Sequence, residues 1–307
     1  MNNDLERNKV SAWISAVRLR TLPLALAAIG MGNLLHFGEF GFRWEILVFG
    51  VITTTFLQVM SNLANDLGDS IHGADSGHRK GPQRAVQSGV ISRDEMRLAV
   101  GILAFASLAS GICLLWMAFR DDWHAAIPLF VTGLICIAAA YFYTNGKKPY
   151  GYRALGDLAV FVFFGLVAVL GASWLQAKEF SILEILPASA LGFWSTAVMN
   201  LNNMRDVESD SLAGKKTLPI ILGLVNARIY HFFLVLGGIL LLLVFALSKN
   251  AVWVLGAFPG CLLMLKTLPQ VLKNKDYVSL DVLLKPQALG TFFAVIGMAL
   301  FKLFFGS

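Results

Sequence analysis

Nine apolar stretches recur along the chain, at roughly 21–37, 45–66, 97–118, 124–143, 155–176, 183–203, 229–247, 250–266 and 287–304, each about long enough to carry an α-helix through a bilayer. Hydrocarbon offers no partner to a backbone N–H or C=O, so a spanning segment must satisfy its own hydrogen bonds, and runs of this length do so as helices. The pattern predicts an all-α fold, a polytopic membrane helical bundle of about nine transmembrane helices. Composition agrees: 57% hydrophobic and 14% charged residues, with a mean hydropathy of +0.67, exclude an ordinary soluble domain. The connections are short, so residues 1–307 read as a single transmembrane domain. The first twenty residues are polar and basic, and the expectation is that no cleavable leader precedes the first span and that the mature chain begins at Met1. Cys113, Cys136 and Cys261 stand alone in apolar runs, without metal-ligand spacing, and read as small buried hydrophobes.

A net charge of +6 could suggest nucleic acid in a soluble protein, but here the cations lie between spans and report topology instead. Of the 25 Lys and Arg residues, twenty fall in the connections on the N-terminal side of the bundle, and five elsewhere: Arg43, Arg120, Lys178, Lys249 and Lys302. The asymmetry predicts a cytoplasmic N-terminus, an outward C-terminus and a cytoplasmic position for residues 62–94. It gives no support to a nucleic-acid partner, and no obligatory protein partner is evident.

The second apolar run ends in Asn62-Leu-Ala-Asn65-Asp66-Leu-Gly-Asp69-Ser-Ile-His-Gly73-Ala-Asp75. Asn62, Asp66 and Asp69 fall at i, i+4 and i+7, on one face of a helix. Carboxylates gathered beside hydrocarbon repel one another unless a cation holds them, so the spacing points to a divalent metal. The following His78-Arg79-Lys80-Gly81-Pro82-Gln83-Arg84 is turn-rich, and its cations either approach a phosphate or simply mark a cytoplasmic loop.

A related pattern returns after the sixth run, as Asn202-Asn203-Met-Arg205-Asp206-Val-Glu-Ser-Asp210, followed by Gly214-Lys215-Lys216-Thr217. Asn202, Asp206 and Asp210 are spaced for one helical face, on the same side of the membrane as the first motif. The two motif loops lie near 67–96 and 204–228. Two acidic helix ends facing each other, each trailed by cations, suit Mg2+ holding a diphosphate, because magnesium takes oxygen ligands from carboxylates and substrate phosphates. A third cytoplasmic connection carries Tyr143, Lys147, Lys148, Tyr150, Tyr152, Arg153 and Asp157. Its tyrosines fit either a membrane-interface belt or a site, and Asp157 either complements a helix N-terminus or faces the polar site.

These motifs resemble the UbiA-type intramembrane aromatic prenyltransferases. With Gly81-Pro82, Gln87-Ser88-Gly89, Lys148-Pro-Tyr-Gly-Tyr152, Leu155-Gly-Asp157 and Ala213-Gly-Lys-Lys-Thr217, they look most like the branch that prenylates 1,4-dihydroxy-2-naphthoate in menaquinone synthesis. The likeness runs from about Arg18 past Gly223, and the C-terminal third adds only its helix count. It implies a bundle around a central cavity capped by the two motif loops, with a polyprenyl diphosphate donor, a dihydroxynaphthoate acceptor and Mg2+. Metal ligation then falls to Asp66, Asp69, Asp206 and Asp210. Where the wider superfamily often places another aspartate four residues after Asp69, this chain has Gly73, with Asp75 two places later as a further candidate ligand.

Arg84, Lys148, Arg153 and Lys215 are candidates to offset diphosphate charge, while Asn62 and Asn202 orient ligands or bond the diphosphate. Asp157, Tyr143 or Tyr152 positions the acceptor's hydroxyl or accepts its proton. Donor tail and product are both lipid-soluble, so a gap between helices, open to the bilayer, is expected. The rival classes are a cation transporter, disfavoured because these carboxylates cluster at one face rather than along a path, and a prenyltransferase for another phenolic acceptor such as 4-hydroxybenzoate or homogentisate. Sequence physics does not separate one small phenolic ring from another. The setting implied is a bacterial inner membrane, with the motif loops cytoplasmic.

Overall fold

The structure is a computed structural model that describes residues 2–39, 41–73, 84–120, 122–179, 181–274 and 277–306. Among these, nine helical segments are long and apolar enough to cross a membrane: Lys9–Leu35, Trp44–His72, Arg93–Phe119, Trp123–Phe142, Gly156–Ala177, Ile182–Arg205, Leu224–Lys249, Val252–Lys273 and Asp281–Phe305. They are called the first to ninth spans below. No strand occurs among the described residues, only an isolated pairing of Arg153 with Lys216. Large apolar side chains on the outer faces, among them Phe105, Leu247, Phe258 and Phe304, are exposed, as suits helices whose solvent is lipid rather than water. Cys113 is exposed and Cys136 and Cys261 are partly so, which corrects the expectation of three buried thiols.

Span positions follow the apolar runs, and the departures have local causes. The first span reaches back to Lys9 because a helix, Asn2–Val17, precedes a break at Arg18, where φ is +52°. Leu22–Leu35 then continues, with proline in its first turn, where the missing N–H costs nothing. The second helix runs on past the apolar stretch to His72, so Asp66 and Asp69 sit on its last turns, and it closes on Gly73 in the left-handed region. At the second motif the helix ends at Arg205 and a short one, Val207–Leu212, begins after Asp206. The single face expected for Asn202, Asp206 and Asp210 is therefore broken at Asp206, although the Asp210 N–H still donates to the Asp206 carbonyl at 2.8 Å.

Among the described residues, the buried apolar side chains form four clusters, two of them larger than the others. Met31, Leu191, Trp194, Val235, Met264 and Met298 join the first, sixth, seventh, eighth and ninth spans, while Met60, Leu63, Leu67, Met96 and Val100 join the second and third. The fifth span carries an uncommon element, a π-helical stretch from Phe161 to Leu170, whose wider turn re-aims the side chains of the cavity wall. The fourth span packs against the second and third.

The eighth and ninth spans meet backbone to backbone. A Cβ on Gly256 would lie 2.2 Å from the Gly297 carbonyl oxygen, and one on Gly260 would lie 2.3 Å from the Gly290 carbonyl oxygen. Lipid tails are as apolar as leucine, so such close approach through small residues is what holds membrane helices together. Gly260→Leu is expected to destabilise the bundle by roughly 1–3 kcal/mol or more, because helix backbone rather than a yielding side chain stands in the way. Thermal unfolding in detergent measures this, and an unchanged midpoint would contradict the packing argument.

Candidate active site

The site forms where the second span, the corner between the fourth and fifth spans, and the segment after the sixth converge. Gly68 allows the approach: a Cβ there would lie 2.5 Å from Thr144 Oγ1 and 2.6 Å from its carbonyl oxygen. With that face open, Asn145 Nδ2 donates to the Ala64 carbonyl at 2.8 Å and Thr144 Oγ1 to the same oxygen at 3.2 Å. The corner is then joined to the second motif by two backbone hydrogen bonds, Ala154 N–H to Lys216 O at 2.7 Å and Lys216 N–H to Tyr152 O at 3.1 Å.

The four aspartates read as metal ligands on described residues, Asp66, Asp69, Asp206 and Asp210, are all buried. Burying a carboxylate is costly unless it is paired and hydrogen-bonded, and each is turned to a cation. Arg84 spans the first motif, with Nη1 on Asp66 Oδ1 at 2.5 Å and Nη2 on Asp69 Oδ2 at 3.0 Å. Asp66 Oδ1 also accepts from Arg18. Tyr152 donates its hydroxyl to Asp69 Oδ1 at 2.9 Å. In the second motif, Arg205 grips Asp206 with both ends of its fork, Nε on Oδ1 at 2.8 Å and Nη2 on Oδ2 at 2.6 Å. Lys215 Nζ lies 3.5 Å from Asp210 Oδ1 and 5.4 Å from the centre of the Tyr152 ring, so it links the second motif to the corner that carries Tyr152. Burial pushes the Asp210 carboxyl above its ordinary range; Lys215 pulls it back, and the neighbouring Asp206 and Asp69 charges add to the rise.

The two asparagines bond protein groups as well as lining the cavity beneath them. Asn62 Nδ2 donates to the Val17 carbonyl at 2.8 Å and to Thr21 Oγ1 at 2.9 Å, tying the break in the first span to the second span. Asn202 Oδ1 accepts from Arg205 Nη2 at 2.8 Å. Asp157 is buried, and its Oδ1 accepts from Asn203 Nδ2 at 3.5 Å, with Tyr230 beside it.

A cavity of about 440 Å3 opens beneath these groups. Asn62, Asn65, Asp69, Arg84, Asn202 and Lys215 line its polar end, and Leu57, Leu115, Phe130, Phe163, Phe164 and Leu175 line its walls further in. Tyr143 lines it too, and burial with the nearby Asp157, Asp69 and Asp210 charges raises its phenol, which therefore stays a proton donor. Of the four aspartates Asp69 lines it; Asp66, Asp206 and Asp210 lie outside the lining, as do Tyr152, bonded to Asp69, and Asp157, one side chain behind Asn203. Lys148 and Arg153 are exposed and outside it as well, because the corner that brings Tyr152 inward turns its basic side chains to solvent. Asp75 lies outside the described residues.

Sequence reasoning passed over Arg18, Arg205, Asn203 and Asp281. Arg205 stood inside a motif already singled out, and its buried neighbours were the available signal. Arg18 and Asp281 carried none, since each reaches the site through another span.

Oxygen donors without thiolate or imidazole are the set magnesium takes. Among the described residues no three acidic, histidine or cysteine groups gather closely enough to hold a metal, because guanidinium and ammonium groups stand between the carboxylates. An apolar intramembrane cavity with Asp69, Arg84 and Lys215 at its polar end, and Asp66, Asp206 and Asp210 beside it, suits a molecule with an anionic head and an apolar body. The chain belongs to the UbiA prenyltransferase family, which it matches over residues 22–280. It is 39% identical to the 1,4-dihydroxy-2-naphthoate octaprenyltransferase of Escherichia coli strain K12 over 92% of either chain. With the protein of the same description from Haemophilus influenzae it shares 41% identity over 80% of each. A UbiA homologue from Archaeoglobus fulgidus, solved bound to DMAPP and Mg2+, covers 95% of this chain and 99% of its own with a TM-score of 0.63; at 15% identity, that likeness is one of fold.

Proposed function

We propose that this enzyme transfers a polyprenyl group from polyprenyl diphosphate to 1,4-dihydroxy-2-naphthoate with loss of carbon dioxide, giving demethylmenaquinol in menaquinone biosynthesis. The observation that carries the reading is identity of 39% and 41% to two octaprenyltransferases of that acceptor, over most of their length. An apolar cavity whose polar end is lined by Asn62, Asn65 and Asp69 of the first motif and by Asn202, Asn203 and Lys215 of the second agrees with it.

The carboxylates of Asp66, Asp69, Asp206 and Asp210 are the candidate magnesium ligands, and Mg2+ supplies Lewis-acid neutralisation of the leaving diphosphate. For binding to occur, Arg84 and Lys215 must give up part of their hold on these carboxylates, and the diphosphate oxygens are the natural new acceptors for their N–H groups. Asn62 fixes the first span against the second, and Asn202 helps fix the Arg205 fork. As the carbon–oxygen bond of the donor breaks, positive charge develops on the allylic carbons. The apolar walls shield that charge from water and hold it near the acceptor ring. The ring carbon bearing the carboxylate attacks, the carbon–carbon bond forms, and carbon dioxide leaves with rearomatisation of the ring. Tyr143 lines the cavity, with its hydroxyl 3.9 Å from Met199 Sδ, and is the candidate to orient the acceptor.

The site faces the cytoplasm across a bacterial inner membrane, as supported by the bias of Lys and Arg between alternate connections. Donor tail and product pass sideways between helices. Purified protein in lipid nanodiscs, given magnesium and one polyprenyl diphosphate with several acceptors, tests the reading. Prenylated naphthoquinol with matching release of carbon dioxide and diphosphate is the expected result. Preferential turnover of 4-hydroxybenzoate would overturn the acceptor, and magnesium transport without diphosphate release would overturn the enzyme class.

A further inference from the structure

Arg205 is buried and reaches three partners with one planar group: both oxygens of Asp206, the side-chain oxygen of Asn202 and, through Nη1, Asp281 Oδ1. Asp281 is the first residue of the ninth span and lies 76 residues further along the chain. Its Oδ1 also lies 3.8 Å from Arg20 Nη1, so the same carboxylate faces the first span. We propose that Asp281 is a positioning residue for magnesium binding: it anchors the far edge of the Arg205 fork and shares its charge, so that Asp206 stays oriented and negative enough to bind a cation. The proposal rests on the magnesium–diphosphate reading given above.

Two physical arguments carry it. A guanidinium is rigid and planar, so fixing Nη1 fixes the direction in which Nε and Nη2 point, and with it the rotation of Asp206 and Asn202. Burial strengthens the attraction between Arg205 and Asp206, and a guanidinium given wholly to one carboxylate leaves that carboxylate little charge for a metal. A second carboxylate on the opposite edge divides the positive charge. Asp281, 39% exposed in its side chain, supplies it at modest desolvation cost.

The test uses the full-length protein in nanodiscs, with magnesium alone as the probe. The readout is the magnesium concentration that half-saturates the thermal shift, measured without substrate, followed by kcat and KM for polyprenyl diphosphate. Asp281→Asn keeps a hydrogen-bond acceptor for Arg205 and removes the charge. It is expected to raise the half-saturating concentration about tenfold, while kcat at saturating magnesium stays within about threefold of wild type. Asp281→Ser is expected to do the same with a smaller side chain, so the result does not depend on the folding of one variant. Asp281→Glu, which restores the charge, should bring the midpoint back to within about threefold of wild type. A purely structural role would lower the unfolding temperature without moving the magnesium midpoint, and that outcome overturns the proposal. Equal impairment of the glutamate and asparagine variants does so too. Wild-type protein without any magnesium response would instead sink the underlying reading.

Discussion

Asp66→Asn is expected to lower prenyl transfer by about 1,000-fold or more at saturating magnesium, because the change removes a carboxylate that would hold the magnesium neutralising the diphosphate. Asp66 takes two guanidinium groups on one oxygen, from Arg18 and Arg84. The asparagine keeps the shape and one acceptor oxygen but leaves those two cations facing each other with one negative charge fewer. Asp206→Asn should fall by a similar factor for the same reason, through Arg205. Diphosphate release and prenylated product, measured on protein that still purifies as a folded monodisperse species, check the prediction. Near-wild-type turnover in both variants would remove the metal–diphosphate mechanism, whatever the fold.

The second large effect concerns Arg84. Its guanidinium holds Asp66 and Asp69 together within 3.0 Å of its nitrogens, with only 10% of its side chain exposed. Arg84→Met fills a similar volume and leaves two neighbouring buried carboxylates short of their shared cation, which costs about 3–5 kcal/mol by analogy with other broken buried pairs. The metal-free variant should therefore unfold at a clearly lower temperature. Magnesium should then raise its unfolding temperature more than it raises that of wild type, because the metal replaces the missing charge. Turnover should still fall, by about 100-fold, since the leaving diphosphate loses a donor that Mg2+ does not replace. A variant that loses turnover but shows the wild-type response to magnesium would mean that Arg84 serves the diphosphate alone and does not gather the acids.

The fold was legible because its signals are local. A segment such as 155–176 shows its length and apolarity without reference to any other, and the span observed there is Gly156–Ala177. The first acidic motif was legible for the same reason, as two turns of one helix fix the spacing of Asn62, Asp66 and Asp69, whereas the face of the second is broken at Asp206. The apolar run at 21–37 matches the helix Leu22–Leu35, but the polar helix before it, and the left-handed Arg18 that joins the two, gave no apolar signal. Lys148 and Arg153 share a connection with Tyr152, yet only the tyrosine turns inward, to Asp69. Sequence neighbours on an irregular corner have no fixed face, so spacing carried no information there.

Taken alone, the sequence determined the number of helices, the end of the bundle that carries the acids, and the chemistry those acids suit. Tertiary structure decided which cation meets which carboxylate. Arg18 reaches Asp66 across 48 residues, Tyr152 reaches Asp69 across 83, and Asp281 reaches Arg205 across 76. Helix periodicity acts over a few residues and leaves its trace in the sequence. Pairing between the ends of different spans depends on how the helices pack, and it exists only once the apolar faces have met.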